Sequence, residues 1–152
     1  MKYAFFVFLL LTTSFALSQE HHLSVKIEGA TSDNGKILYT VFSSKEGFPG
    51  KPEKALKSGI AHIENGESGI DLDLPKGEYA LMVFHDEDDN NELKTNWFGM
   101  PKEGVGNSNN HKGIPSYPKS VFKLSDDKSK AKAALTNLSG RLFSIKKTIG
   151  LP

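Results

Sequence analysis

The amino-acid sequence predicts an all-β fold, an antiparallel β-sandwich of the immunoglobulin-like or transthyretin-like type. Several short segments alternate between apolar and polar residues, as in residues 70–74, and others are rich in β-branched and aromatic residues. Turn signals such as Asn65-Gly66 separate these segments at close spacing. The chain has no cysteine, so the hydrophobic core of this single domain must form without disulfide bonds.

The N-terminal segment has the pattern of a secretory signal peptide. Lys2 supplies a positive start, residues 5–11 are apolar, and residues 16–18 form a small-residue cleavage pattern. The apolar run is shorter than the roughly 20 residues that span a bilayer, so no membrane span is expected after cleavage. The sequence therefore predicts a signal peptide over residues 1–18, one β-sandwich domain over residues 19–152, and export to the periplasm or outside the cell.

The first half of the mature domain is predicted to contain two strands and one short helix. Residues 22–30 alternate in polarity, and residues 35–43 are apolar on both faces, as in a central strand. Between them, residues 33–35 (Asp-Asn-Gly) are predicted to form a hairpin turn, because Asn-Gly is a strong hairpin signal. After the second strand, residues 52–58 are predicted to form one or two helical turns, which begin at a proline and are followed by a glycine.

The second half is predicted to contain further short strands and a C-terminal helix. The strand segments are residues 60–63, 70–74, 78–85, 120–124 and 130–138. The apolar residues at positions 138, 142, 145 and 149 recur at helical spacing. This spacing predicts a short amphipathic helix at the C-terminus.

The alternating strand over residues 70–74 predicts which side chains face the core. Its aliphatic residues face inward and Asp71 and Asp73 face water, because successive strand residues point to opposite faces. The residues expected to face the core are Ile70, Leu72, Leu74, Val25, Ile37, Val41, Leu81 and Val83.

Tyr79 follows a glycine turn at the start of a predicted strand. In that position a tyrosine can form a corner, with its ring in the core and its hydroxyl bonded backwards across the turn. The alternative is an ordinary half-buried aromatic residue. The sequence alone leaves both interpretations open.

Residues 85–110, here named the long loop, form a polar segment that lacks apolar periodicity. A loop of this length inside a compact domain is usually functional or disordered. Asp86, Asp88 and Asn90 place side-chain oxygens at alternating positions, as in the first half of a calcium-binding loop. The segment lacks the glycine and the final glutamate that an EF-hand requires. Two interpretations remain open: a weak calcium site at Asp86, Asp88 and Asn90, or a hydrogen-bonded loop without metal.

Other residues of the long loop are predicted to bind a ligand. Trp97, in a polar segment, is expected either to fold back as a lid over the sandwich or to serve as an aromatic platform for a sugar ring or a peptide. His85 and Asp86 are adjacent in a predicted strand and point to opposite faces, so they cannot pair as catalytic groups. His85 is instead predicted to anchor the loop by hydrogen bonds to the backbone or to residues 107–110. The residues predicted to form the ligand-binding loop are His85, Asn96, Trp97, Glu103, Asn107, Asn109 and Asn110.

Charge and composition narrow the classes of partner. The chain has 19 Lys and Arg residues against 18 Asp and Glu residues, and removal of the signal peptide makes the two numbers equal. A net charge near zero argues against nucleic acid or an anionic membrane as the main partner. The absence of cysteine excludes thiolate catalysis and zinc–thiolate sites. No cofactor is expected apart from the weak calcium site, and the protein is expected to be a monomer.

Three motifs give the chain a resemblance to a known family. They are the Phe48-Pro49 pair, LPKGEYALMVFHDEDDN over residues 74–90, and GMPKEGVGNSNN over residues 99–110. In these motifs the chain resembles the bacterial family called domain of unknown function 2141, and the resemblance covers nearly all of the mature chain. It implies a small exported β-sandwich of bacterial envelopes with no established activity. Lys94 departs from the family pattern, in which an acidic residue is usual, and so removes a potential anionic ligand for a metal.

These patterns predict a non-catalytic exported module of the bacterial envelope with a binding or accessory role. Its contact surface is expected on the long loop, and its partner is expected to be a small molecule, a sugar or an envelope protein. One alternative is a small hydrolase-type enzyme that uses His85 and Glu103. The other alternative is a purely structural domain with a weak calcium-stabilised loop.

Overall fold

The computed structural model describes residues 20–97, 101–111 and 113–125, and the backbone of residues 144–150. These parts of the chain form nine strands, which are β1 (Glu20–Glu28), β2 (Lys36–Phe42), β3 (Lys57–Ala61), β4 (Ile63–Glu64), β5 (Glu67–Pro75), β6 (Gly77–Asp86), β7 (Val105–Asn107), β8 (Val121–Leu124) and β9 (Ser144–Gly150). They also contain a 3-10 turn, Pro52–Lys54, and the one-turn helix α1, Tyr117–Ser120.

The strands form two antiparallel sheets. One sheet has the order β4-β5-β1-β9, and the other has the order β3-β2-β6-β7, with β8 paired to the first half of β6. Apolar side chains from both sheets belong to one hydrophobic core. The all-β prediction is therefore confirmed, whereas the finer immunoglobulin-like or transthyretin-like assignment stays a prediction.

Strand β5 shows how the sequence pattern produces the core. Its residues alternate between exposed and buried along the strand, so that Asp71 and Asp73 face water while the aliphatic residues between them face inward. The eight residues predicted to face the core are all buried: Ile70, Leu72, Leu74, Val25, Ile37, Val41, Leu81 and Val83. This part of the prediction is confirmed.

Tyr79 forms the corner that was one of the two interpretations of its position. Its ring is buried in the core, and its hydroxyl donates a hydrogen bond to the carbonyl oxygen of Pro75 at 2.8 Å. Burial raises the pKa of the Tyr79 hydroxyl, which keeps it protonated and able to donate. The turn between β5 and β6 is thus held by a side chain that belongs to the core.

The two Asn-Gly turns behave differently. Asn65 and Gly66 have φ angles of 54° and 75° and join β4 to β5 as a two-residue hairpin. The predicted hairpin at residues 33–35 is wrong, because β1 and β2 lie in different sheets. Instead, the Asp33 carboxylate accepts hydrogen bonds from the backbone N–H groups of Asn65 and Gly66, at 3.0 and 2.8 Å. The segment after β1 is therefore attached to the neighbouring hairpin and crosses between the sheets.

Two predicted helices are corrected by the structure. The helix over residues 52–58 is a single 3-10 turn, and Lys57 and Ser58 instead pair with β2 as the start of β3. The C-terminal segment is the strand β9, which pairs with β1. Ile145 and Ile149 are four residues apart, a spacing that repeats on one face of a strand as well as on a helix, and pairing with β1 satisfies the backbone.

The other C-terminal predictions have mixed outcomes. The strand predicted over residues 120–124 is confirmed as β8 from Val121 onward, whereas Ser120 ends the helix α1, which was not predicted. The strand predicted over residues 130–138, the helical positions 138 and 142 and the predicted signal peptide lie outside the described residues. In the part of the chain that the structure describes, no helix is long and apolar enough to cross a membrane.

Candidate functional site

The long loop leaves the end of β6 and returns along the same strand as β7. Phe84 pairs with Val105, and the backbone N–H of His85 donates to the carbonyl oxygen of Gly104 at 2.8 Å. The two ends of the loop are therefore joined by sheet hydrogen bonds. Such a closed base restricts the segment between them.

Asp86 organises the first half of the loop. Its side chain is 0 % exposed, and its carboxylate accepts hydrogen bonds from the backbone N–H groups of Asn90 and Asn91, at 3.0 and 2.8 Å. The Lys36 ammonium lies 3.5 Å from this carboxylate and 2.8 Å from that of Asp89, and the hydrogen bond with Asp89 raises the pKa of Lys36. A buried carboxylate with these partners fixes the turn over residues 87–91.

Glu103 connects the two halves of the loop. This side chain is 4 % exposed, and its carboxylate accepts hydrogen bonds from the backbone N–H groups of Glu87 at 3.3 Å and Lys94 at 2.9 Å. The backbone N–H of Lys102 donates to the carbonyl oxygen of Lys94 at 2.8 Å. One glutamate near the end of the loop thus holds the backbone at two earlier positions.

The carboxylates of the loop converge on one position. Asp86, Asp88 and Glu103 each offer an oxygen atom, and these three atoms lie within 4.8 Å of one another. Carboxylate oxygens at such separations are ligands that suit a hard cation such as calcium. The cluster includes two of the three predicted metal ligands, Asp86 and Asp88, together with Glu103.

Asn90 serves the backbone and a neighbouring side chain. Its amide oxygen accepts a hydrogen bond from the backbone N–H of Glu92 at 2.6 Å, and its amide nitrogen donates to Asp88 at 3.1 Å. The residue thus closes a local turn and orients the Asp88 carboxylate.

Lys94 brings a positive charge to the carboxylate cluster. Its ammonium group donates to the Asp88 carboxylate. The pKa of Lys94 is raised, chiefly by this hydrogen bond, and the negative charges of Glu103 and Asp86 contribute to the shift. The same contact lowers the pKa of Asp88. The loop therefore carries its own cation beside the position where a metal ion would be expected.

His85 anchors the base of the loop, as the sequence predicted. The imidazole is fully buried, and its Nε2–H donates to the carbonyl oxygen of Asn34 at 2.7 Å. The next residue, Gly35, has a φ angle of +72°, and a Cβ atom there would lie 1.8 Å from the carbonyl oxygen of Asp86. The crossing between β1 and β2 is thus packed directly against the start of the loop.

The asparagines at the end of the loop bind the protein itself. The Asn107 amide accepts hydrogen bonds from the N–H groups of Asn109 and His111 and donates to the carbonyl oxygen of His111, at 3.1–3.3 Å. The Asn109 amide donates to the carbonyl oxygens of Lys119 and Val121, at 3.1 and 2.8 Å. Asn109 thus fastens α1 and β8 to the loop, whereas Asn107 holds the segment that follows it.

Asn110 completes this segment in a left-handed conformation, with a φ angle of 51°. Its side chain is buried, and its amide atoms have no hydrogen-bond partner among the described residues.

Most of the predicted ligand-binding residues are not exposed. His85, Glu103, Asn107 and Asn110 are buried, and Asn109 is half-buried.

Trp97 has the opposite environment. Its side chain is 96 % exposed, so the interpretation as a lid over the core is wrong. Its neighbour Asn96 is also exposed. Backbone pairing of Thr95 with Pro101 narrows the loop at this point. Trp97 is thus an almost fully exposed indole on a loop whose base is held by buried carboxylates.

A second polar cluster, on the outer face of the other sheet, was not predicted. His22 Nε2 lies 3.3 Å from Ser24 Oγ, and His22 Nδ1 lies 3.0 Å from a carboxylate oxygen of Asp73. This resembles the order of a Ser-His-Asp triad, but the Ser24 hydroxyl donates to Asp71 at 2.7 Å. The hydrogen bond with Asp73 raises the pKa of His22. The alternating pattern of the sequence can place these four residues on outward faces of their strands. Only the register of β1 with β5, which the sequence does not show, brings them together.

The fold and the loop define a class of protein: a small two-sheet β domain with a long polar loop in which Trp97 is exposed. A sequence model of the bacterial family described as "Uncharacterized protein conserved in bacteria (DUF2141)" matches residues 25–132. The chain belongs to this family, which confirms the resemblance noted in its motifs. The match includes the entire long loop. No curated protein and no solved structure matched the chain.

Proposed function

We propose that this protein is a non-catalytic, exported binding or accessory module of the bacterial envelope, with Trp97 as the centre of its contact surface. The observation that carries this proposal is the 96 % exposure of Trp97. Large aromatic side chains contribute strongly to binding because they bury much apolar area with few rotatable bonds. An aromatic side chain that is exposed in the free protein is therefore available to anchor a partner.

The support beneath Trp97 strengthens the proposal. Asp86 and Glu103 hold the backbone at four positions of the loop through hydrogen bonds of 2.8–3.3 Å. A loop that is ordered before binding loses less conformational entropy when it meets its partner. An indole face with the exposed residue Asn96 directly before it suits a sugar ring, another small molecule or an envelope protein.

Export is the part of the proposal that rests on the sequence. Residues 1–18 have the charge, apolar run and small-residue cleavage pattern of a signal peptide. A partner in the envelope follows from that destination. The intact mass of the protein isolated from bacterial envelopes tests it: a chain that begins near Gln19 supports export, and a chain that retains Met1 contradicts it.

The alternative of a hydrolase that uses His85 and Glu103 has less support. The His85 ring is buried and bonded to Asn34, and the Glu103 carboxylate is bonded to two backbone N–H groups. Neither side chain is exposed to meet a substrate. Both act on the conformation of the loop instead.

Co-sedimentation with purified bacterial cell-wall polysaccharide and capture from envelope extract test the binding proposal. The Trp97→Ala protein is expected to lose at least about 1–2 kcal/mol of binding free energy, the usual cost of removing an aromatic anchor. Ile60→Ala is the matched control, because Ile60 is an exposed apolar residue on β3. Unchanged binding by Trp97→Ala at an unchanged melting temperature would contradict the proposal.

A further inference from the structure

The long loop carries three carboxylates that must be kept together against their mutual repulsion. Asp86, Asp88 and Glu103 place oxygen atoms within 4.8 Å of one another, and Asp86 and Glu103 are buried. Like charges at this distance repel, and burial strengthens the repulsion because less water screens it. Backbone N–H groups offset part of this cost at Asp86 and Glu103. A positive charge would offset more of it.

Two lysines approach this cluster from different sides. Lys36, on β2, is 3.5 Å from Asp86 but bonds more closely to Asp89, which is outside the cluster. Lys94 belongs to the loop itself, and its ammonium group contacts Asp88 directly. The backbone N–H of Lys94 also donates to Glu103 at 2.9 Å. Lys94 is therefore bonded to two of the three carboxylates, once through its side chain and once through its backbone.

We propose that the Lys94 ammonium is the built-in cation of this carboxylate cluster and supplies the positive charge that a divalent ion would otherwise supply. A cation that is part of the chain is present at a high effective concentration and needs no ion from solution. The ordered loop beneath Trp97 is then independent of calcium. This inference concerns the support of Trp97 rather than its ligand, so it stands or fails separately from the proposed function.

The inference predicts that removal of the Lys94 charge converts the cluster into a calcium site. Lys94→Met removes the charge and keeps a long side chain, whereas Lys94→Asp adds a fourth carboxylate. Lys102→Met is the matched control, because Lys102 is an exposed lysine of the same loop. All proteins are expressed from the full chain, and melting temperatures are measured in a calcium chelator and in about 10 mM calcium chloride.

The wild type and Lys102→Met are expected to melt at the same temperature in both solutions. Both Lys94 variants are expected to melt lower in chelator, and calcium should raise their melting temperatures by about 4 °C for a millimolar site. Trp97 is the only tryptophan of the chain, so its fluorescence during a calcium titration reports on this loop directly. If Lys94→Asp fails to fold, Lys94→Met retains the test.

Three results would overturn the inference. A calcium response of the wild type equal to that of the Lys94 variants would show that the cation position is open. No response in any protein would show that Lys94 forms only a surface ion pair. A response of Lys102→Met as large as that of Lys94→Met would also overturn it, because the effect would then come from net charge alone.

Discussion

Strand β5 and the long loop are both rich in acidic residues, but the acids have opposite environments. Asp71 and Asp73 of β5 face water, and the sheet supplies partners for the backbone around them. Asp86 and Glu103 of the loop are buried, and their carboxylates bind backbone N–H groups. The difference shows that an acidic side chain becomes structural where regular secondary structure ends, because the backbone there needs other acceptors.

The largest expected effect comes from the inward face of β5. Leu72→Ala is expected to lower the free energy of unfolding by about 2–5 kcal/mol, because Leu72 is buried in the core shared by both sheets. Asp71→Ala on the outward face is expected to change it by about 0.5 kcal/mol or less. Urea unfolding of both variants measures the difference. Equal effects would show that the two faces of β5 do not differ as described.

An intermediate effect is expected from the buried acid of the loop. Asp86→Ala leaves the N–H groups of Asn90 and Asn91 without their acceptor, and is expected to cost about 2–3 kcal/mol. Asp73→Ala, at an exposed acid of β5, is the comparison and is expected to cost far less. Hydrogen exchange gives a local readout, since the amides of Asn90 and Asn91 should lose protection only in Asp86→Ala. Protection that persists there would contradict the role given to Asp86.

The smallest expected effect is a pH dependence of stability that comes from His22, which lies on β1 opposite Asp73 of β5. Asp73 and Asp71 raise the pKa of His22 above its ordinary value of 6.5. A group whose pKa is raised by folding stabilises the folded state when it is protonated, so this contribution is fully present below about pH 6.5 and is lost as the pH rises through the raised pKa. Melting temperatures of the wild type and His22→Gln should therefore differ more at pH 5.5 than at pH 8.5. A difference that grows with pH would contradict the assignment.

The sequence predicted the regular parts of the fold because local patterns determine them. The alternation in β5 identified its buried face, and Asn65-Gly66 identified a hairpin, since both signals act between close neighbours. The prediction of a hairpin at residues 33–35 failed because the hydrogen-bond partners of Asp33, Asn65 and Gly66, are distant in sequence. The C-terminal segment was predicted as a helix but forms strand β9. A four-residue spacing fits both a strand face and a helix, and only the pairing with β1 distinguishes them.

The candidate site was predicted in its location but not in its internal arrangement. The polar segment and the oxygens of Asp86 and Asp88 were visible in the sequence. The return of Glu103 to the same position, and the place of Lys94 beside it, depend on how a loop of this length folds back. The hydrogen bonds from the Asn109 amide to α1 and β8 depend likewise on how those two elements pack against the loop.

The proposed role of the long loop is to present Trp97 to a partner. The most direct measurement is iodide quenching of Trp97 fluorescence, with and without the cell-wall polysaccharide or the captured envelope partner. Since Trp97 is the only tryptophan and is 96 % exposed, we predict quenching as strong as that of a free tryptophan amide in the protein alone, and protection when the partner is bound. An indole already shielded in the free protein, or equally quenched in the complex, would contradict the account.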